Sequence, residues 1–129
     1  MSITLGSRSL MRLEGVHPDL VRVVKRAAAM SDLDFTVLEG LRTEARQRQL
    51  FKEGASKTLN SRHLTGHAVD LAPMLDGKVS WDWPLYHRLA KTVKSAADFE
   101  KVPLQWGGDW RFKDGPHWEL PWKQYPKGK

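Results

Sequence analysis

A histidine and an aspartate stand seven positions apart in residues 61–70, which read SRHLTGHAVD. His63 comes before a glycine turn, and Asp70 lies within the short apolar segment 68–73, which is predicted to be a strand. Imidazole nitrogen and carboxylate oxygen are ligands that a borderline-soft divalent ion such as zinc accepts. A catalytic zinc site takes three protein ligands and leaves a fourth position for water. The segment therefore supplies two ligands of a candidate metal site.

The third ligand must come from elsewhere in the chain, and the best candidate is His117 in the segment 114–120, DGPHWEL. The sequence has no cysteine, so a thiolate ligand and a disulfide framework are both excluded. Histidine and carboxylate are then the only strong ligands left. The alternative is purely structural, with His63 as a turn residue, Asp70 as a strand-end cap and His117 as a core histidine.

The elements that must position these residues are predicted from periodicity and from breakers. The pattern predicts helices at about 18–30, 43–52 and 84–99, and strands at 35–39, 68–73, around Val79, at 104–106 and at 117–120. A polar loop is expected at 53–62, and Asp76-Gly77 predicts a tight turn. The expected fold is α+β, with a mainly antiparallel sheet flanked by about three helices and the zinc site at the sheet.

Length and composition predict one soluble globular domain over residues 1–129, because 40% of the residues are hydrophobic and 28% are charged. Residues 121–129 form a basic, proline-containing tail whose last residues are expected to be mobile. No apolar window is long enough to span a bilayer, and the amino terminus lacks the pattern of a signal peptide. The protein is therefore expected to be made in the cytoplasm and not to export itself by that route. A monomer is the default expectation for the oligomeric state.

The net charge of +6 favours an anionic partner, which could be nucleic acid, lipid or an acidic cell-wall polymer. The lysines and arginines are scattered, and most are interpreted as solvated surface. There is no dense basic run and no aromatic RNA-binding motif, so specific nucleic-acid binding is not predicted.

Two features near these elements have two interpretations each. Arg42 lies at a strand-to-helix junction, where a guanidinium could be aimed into a site, but the local pattern favours a surface arginine paired with Glu39 or Glu44. Six tryptophans are many for this length, and core packing and the wall of a substrate groove are equally compatible with the four nearest the carboxyl end: Trp106, Trp110, Trp118 and Trp122.

Taken together, these motifs resemble the zinc peptidases of bacterial cell walls. The pattern S-x-H-x-x-G-x-A-x-D at 61–70, followed by Asp114 three residues before His117, is the strongest part of the resemblance. Residues 40–43 (GLRT) with Gln47, residues 106–110 (WGGDW) and residues 16–20 (VHPDL) are similar to other segments of the family. The resemblance covers about Ser9 to Leu120. The family includes D-alanyl-D-alanine carboxypeptidases, D,D-dipeptidases and bacteriophage L-alanyl-D-glutamate endopeptidases.

The resemblance implies a role for individual residues. His63, Asp70 and His117 would bind one zinc ion, Asp114 would be the catalytic acid and base, and Arg42 would stabilise the oxyanion. His67 is left out, because the phage members vary there and because it lies on the opposite strand face from Asp70. Glu119 is the second choice for the base, and a supporting role behind His117 fits it better.

The resemblance also implies a function. The favoured one is a phage endolysin that hydrolyses the L-Ala–D-Glu bond of the peptidoglycan stem peptide during host lysis. It would accumulate in the cytoplasm and reach the periplasmic wall through a holin. The alternatives are a D-Ala-D-Ala carboxypeptidase and a non-catalytic, zinc-containing wall-binding module.

Overall fold

The computed structural model describes residues 2–56 and 58–126. Within these ranges four α-helices pack around a small antiparallel sheet, which confirms the predicted α+β class. The helices are α1 (Ser7–Arg12), α2 (Pro18–Met30), α3 (Glu44–Lys52) and α4 (Trp83–Glu100). The strands are β1 (Phe35–Glu39), β2 (Ala68–Leu75), β3 (Lys78–Val79), β4 (Gln105–Trp106) and β5 (His117–Glu119). Two 3-10 turns cover Arg62–Thr65 and Gly107–Asp109.

Strand β2 is the centre of the sheet, whose order is β1-β2-β5-β4, with β3 paired to the end of β2. Asp70 on β2 is paired with His117 on one neighbouring strand and with Glu39 on the other. Three polar side chains are thereby brought side by side from positions far apart in the sequence. The tight turn predicted at Asp76-Gly77 joins β2 to β3, and both residues have positive φ.

The core lies between the sheet and the long helices α2 and α4. Pro18 opens α2, and its buried face repeats at the helical period, as predicted. The core residues of the two helices are Leu20, Val23, Val24, Ala27, Ala28, Tyr86, Leu89, Ala90, Val93, Ala96 and Ala97. No helix in the described ranges is long and apolar enough to cross a membrane.

The structure adds helix α1, which the periodicity did not predict. Its six residues bury only Ser9, so there is no apolar stripe to detect. The helix is held by a polar contact instead, since the Ser9 hydroxyl accepts a hydrogen bond from the backbone N–H of Val37 at 3.0 Å. Sequence methods that count apolar spacing miss helices of this kind.

The start of the basic tail is anchored to the body of the protein. The Tyr125 hydroxyl donates to Asp19 Oδ2 at 2.6 Å, and the buried Arg62 donates to the carbonyl oxygens of Leu120 and Tyr125 at 2.8 and 2.6 Å. The predicted mobility falls on residues 127–129, which lie outside the described residues.

Candidate metal centre

His63, Asp70 and His117 form a compact cluster whose ligand atoms all lie within 4.8 Å of one another. His63 is in the first 3-10 turn, Asp70 is on β2 and His117 is on β5. The pairing of β2 with β5 brings the third residue to the other two. The structure thus places together the three residues that the sequence pattern selected.

The orientation of His63 is determined by its local structure. The Ser61 hydroxyl accepts the backbone N–H of His63 at 3.1 Å, and Gly66 ends the turn with φ 76°, a conformation that favours glycine. The His63 Nδ1 atom lies 2.8 Å from the carbonyl oxygen of Gly40. Because a carbonyl only accepts, Nδ1 carries the hydrogen, and the Nε2 lone pair faces Asp70 Oδ1 at 3.2 Å.

His117 is oriented in the same manner by a carboxylate. Its Nε2 atom lies 2.8 Å from Glu119 Oε1, so Nε2 carries the hydrogen and Nδ1 faces Asp70 Oδ1 at 3.3 Å. A carboxylate that holds the second nitrogen of a ligating histidine is a common support for metal sites. Glu119 is buried and engaged with His117, which agrees with the supporting role predicted for it.

Two imidazole nitrogens and a carboxylate oxygen therefore converge. All three atoms are acceptors whose lone pairs repel one another, so a proton or a metal ion must lie between them. Without a metal, protons serve this purpose. Burial alone would raise the pKa of Asp70 and lower that of His117. The contacts of Asp70 with His117 and His63, and the hydrogen bond of His117 to Glu119, reverse both effects. The pKa of Asp70 is held well below its ordinary value, and that of His117 is raised to about 9. The donor set of two nitrogens and one oxygen fits zinc with a position left for water.

Arg42 lies beside this cluster with its Nη2 atom 4.0 Å from Asp70 Oδ2. Glu39 binds the guanidinium through both carboxylate oxygens, and Gln47 Oε1 accepts from Nη1 at 2.7 Å. Gln47 is buried and donates in turn to the carbonyl of Thr58 at 2.6 Å. Arg42 therefore pairs with Glu39, as one interpretation predicted, and it also lies next to the candidate metal cluster, as the other predicted.

Asp114 is an exposed residue in the loop before β5, near enough to the cluster for the charges there to act on it. Partial desolvation of its carboxylate and the charge of Asp70 raise its pKa, while His117, His63 and Arg42 act in the opposite direction. The backbone of Asp114 is closely packed against Gly107, where an added Cβ would lie only 2.4 Å from the Asp114 carbonyl oxygen. A larger residue at 107 would therefore displace the segment that carries the acid.

The remaining candidates fall outside the cluster. His67 Nδ1 contacts the Thr65 hydroxyl at 2.5 Å and its ring lies 5.5 Å from that of His17, away from the three ligands. Of the tryptophans, Trp106 and Trp118 are buried and stack at 5.7 Å, whereas Trp110 is half-exposed and lies 5.1 Å from the His117 ring. The tryptophan group is therefore divided between the core and the rim of the site.

Sequence reasoning missed one support of the site. The carbonyl of Gly40, the residue after strand β1, orients His63 from 23 residues away. Every residue has a backbone carbonyl, so the residue type does not indicate which one binds His63. Only the packing of β1 against the 3-10 turn shows this contact.

The fold and the cluster define a class: a small α+β protein with three convergent residues that could hold one metal ion, and with a carboxylic acid and an arginine nearby, as in single-metal hydrolases. The chain belongs to the phage L-alanyl-D-glutamate peptidase family, whose model matches residues 1–124. This confirms the family predicted from the motifs.

Individual relatives support the assignment. The chain is 33% identical to the L-alanyl-D-glutamate peptidase of Escherichia phage T5, over 99% of this chain and 96% of that protein. It is 33% identical to the peptidoglycan L-alanyl-D-glutamate endopeptidase CwlK of Bacillus subtilis (strain 168), over 75% of this chain and 66% of that protein. The crystal structure of the L-Ala D-Glu endopeptidase ChiX of Serratia marcescens superposes with a TM-score of 0.89 at 50% identity, covering 93% of this chain and 91% of that chain.

Proposed function

We propose that this protein is a zinc-dependent endopeptidase that hydrolyses the L-Ala–D-Glu bond of the peptidoglycan stem peptide. The observation that carries the proposal is the convergence of His63, Asp70 and His117 in a chain of this peptidase family. Asp114 is near enough for the charges of these residues to act on its pKa. The choice of the L-Ala–D-Glu bond rests on the names of the relatives. The choice of metal-dependent hydrolysis rests on the cluster.

His63, Asp70 and His117 would hold the ion through the three atoms that converge in the structure. When bound, zinc supplies Lewis acidity and lowers the pKa of a water in its open position to about 7. Glu119 and the Gly40 carbonyl keep the two imidazoles in the tautomers that direct a lone pair at the ion. The protein thus holds its ligands in place before the ion arrives.

Asp114 would act as general base and then as general acid. A raised pKa suits this exchange, because a carboxylate that is too acidic holds a proton poorly between the two steps. Asp114 would accept the proton of the attacking water as the carbon–oxygen bond forms. It would then deliver that proton to the departing amine of D-Glu as the carbon–nitrogen bond breaks, so no covalent enzyme intermediate is needed.

Arg42 would stabilise the negative charge that develops on the carbonyl oxygen of L-Ala. Its guanidinium is held by Glu39 and Gln47 and does not have to reorganise as the charge forms.

The biological setting that we propose is phage lysis. The endolysin would act as a monomer on the periplasmic wall, and a holin would release it through the inner membrane. The basic surface, with a net charge of +6, would help to hold it on anionic murein. These points rest on the family and on charge.

Mass spectrometry of fragments tests the proposal. The zinc-loaded protein is incubated with purified Gram-negative peptidoglycan, with Asp114→Asn as the matched inactive control. We expect soluble peptides that begin with D-Glu and glycan that retains L-Ala. Release of a single terminal D-Ala would instead identify a carboxypeptidase, and no cleavage by the wild type would identify a binding module.

A further inference from the structure

Arg62 directly precedes the candidate ligand His63 in the first 3-10 turn, and none of the roles above uses its guanidinium. The residue is only 3% exposed. Within residues 2–56 and 58–126 the guanidinium donates hydrogen bonds only to carbonyl oxygens, and its Nη1 atom has no hydrogen-bond partner. A buried charge without a bonded carboxylate is costly, because it has lost its hydration. What the guanidinium holds together explains why an arginine stands here.

The guanidinium binds the chain just beyond strand β5. Its Nε and Nη2 atoms both donate to the carbonyl oxygen of Leu120, at 3.2 and 2.8 Å. Nη2 also donates to the carbonyl oxygen of Tyr125 at 2.6 Å. The ring of Trp122 lies over the guanidinium, with its centroid 4.1 Å from Cζ. Arg62 therefore holds the segment after β5 against the 3-10 turn.

Backbone hydrogen bonds close a ring around this contact. The Leu120 N–H donates to the carbonyl oxygen of His67 at 2.9 Å, and the His67 N–H donates to the carbonyl oxygen of Arg62 at 3.0 Å. Both backbone groups of Leu120 are thus bound by the two ends of the loop 62–67. The Arg62 side chain is the part of this ring that depends on residue type.

The ring connects the surroundings of the two histidine ligands. His63 lies inside the loop, and Glu119, directly before Leu120, has its Oε1 atom 2.8 Å from His117 Nε2. Burial lowers the pKa of the Arg62 guanidinium, and the charge of the nearby Glu119 acts in the opposite direction. A displacement of the loop from the end of β5 would move one histidine relative to the other.

The sheet alone does not fix the position of His63. The pairing of β2 with β5 places Asp70 opposite His117, so these two ligands are held by strand hydrogen bonds. His63 lies outside the sheet, in the 3-10 turn, and its position depends on the contacts that tie this turn to the strands. The guanidinium of Arg62 is a contact of this kind.

We infer that Arg62 is a positioning residue that fixes His63 relative to His117 in the metal centre. Its fork of donors keeps the loop 62–67 against the end of β5, so that the two imidazole rings stay at the 5.0 Å centroid separation that the structure shows. The inference rests on the proposed zinc centre. Residues that orient metal ligands from outside commonly contribute about 10- to 100-fold to metal affinity.

The test is the zinc affinity of Arg62→Lys, measured by competition with a chromophoric chelator. Lysine keeps the positive charge but lacks the planar fork that reaches two carbonyl oxygens, so we expect the dissociation constant for zinc to rise about 10-fold. The matched control is Tyr125→Phe, which loses the hydroxyl bond to Asp19 and retains the carbonyl oxygen that Arg62 binds. The control should lose thermal stability and retain zinc affinity.

A second variant and a second readout separate positioning from stability. Arg62→Gln removes the charge together with the fork, and its zinc affinity should fall at least as far; if it does not fold, Arg62→Lys decides. In the cobalt-substituted protein the Arg62 variants should shift the visible d–d absorption bands, which report ligand geometry, and Tyr125→Phe should leave them unchanged. If Arg62→Lys melts at a lower temperature but binds zinc within about twofold of the wild type, with an unaltered cobalt spectrum, the inference is wrong.

Failure of the metal centre and failure of the proposed activity give different results. A wild type whose zinc binding is insensitive to His63→Ala would overturn the metal centre itself, and this inference with it. A wild type that binds zinc through His63 and cleaves no peptidoglycan would overturn the proposed activity alone, because the affinity measurements on Arg62 do not require catalysis.

Discussion

Asp70 and His117 face each other directly across strands β2 and β5, and Oδ1 of the aspartate lies 3.3 Å from Nδ1 of the histidine. Backbone pairing between neighbouring strands fixes this separation, so two of the three candidate ligands are held by the sheet and not by a loop. Sites on regular elements are held more precisely than sites on loops. His63 completes the centre from a 3-10 turn that is tied to the sheet through Gly40.

Replacing one ligand should remove the metal. His63→Ala is expected to lose stoichiometric zinc, measured by elemental analysis of the dialysed protein. Zinc at 100-fold above its dissociation constant should stabilise the wild type by about 2.7 kcal/mol and the variant by almost nothing. The matched control is His67→Ala, which removes a nearby histidine that lies outside the cluster and should retain the metal. Full zinc content in His63→Ala would exclude His63 as a ligand.

Replacing the acid should separate metal binding from catalysis. Asp114→Asn is expected to keep its zinc and to lose about 10²- to 10⁴-fold in kcat, the usual contribution of a general acid–base group. The rate is followed by release of amino-terminal D-Glu from purified peptidoglycan. Asp109→Asn is the control, because this exposed acid pairs with Lys94. Unchanged activity in Asp114→Asn would make Glu119 the base.

Arg42→Lys retains a positive charge but loses the planar fork that Glu39 and Gln47 hold. We expect kcat to fall about 10²-fold, on the scale of removing one oxyanion donor, with a small change in KM. Steady-state kinetics on a soluble stem peptide measure both constants. Arg46→Lys, an exposed change on α3, serves as the control. A rise in KM at constant kcat would assign Arg42 to substrate binding instead.

The stability of the metal-free protein should depend on the pH through His117. Its pKa in the folded protein is raised from 6.5 to about 9, so the stabilisation is fully present below pH 6.5 and is lost as the pH rises through about 9. The free energy of unfolding should fall by on the order of 3 kcal/mol across this window.

Chemical denaturation of chelator-treated protein at pH 6, 7.5 and 9 measures this change. His117→Gln should have a nearly constant free energy of unfolding over the same range. Zinc should act in the opposite direction, because the ion requires the neutral imidazole and binds more tightly as the pH rises. A metal-free wild type with no loss of stability between pH 6.5 and 9 would contradict the assignment.

Much of the fold was predictable because its signals are local. Helix α2 begins and ends at the predicted residues, where Pro18 opens it and five buried residues repeat at the helical period. Strand β1 also has the predicted limits, and strand β2 runs two residues beyond its predicted end at Pro73. Helix α1 was missed because a hydrogen bond through Ser9 holds it where an apolar face would be expected. That contact joins elements 28 residues apart, and no sequence window contains it.

The sequence by itself determined the chemistry of the site, because the types and spacing of His63, Asp70 and His117 restrict the ligands to imidazole and carboxylate. Tertiary structure decided what each group does. It set the tautomers of the two histidines through Gly40 and Glu119, and it brought Arg42 to 4.0 Å from Asp70. The physical reason is that hydrogen-bond direction, burial and electric field depend on atoms that strand pairing brings together from distant parts of the chain, and residue type records none of these.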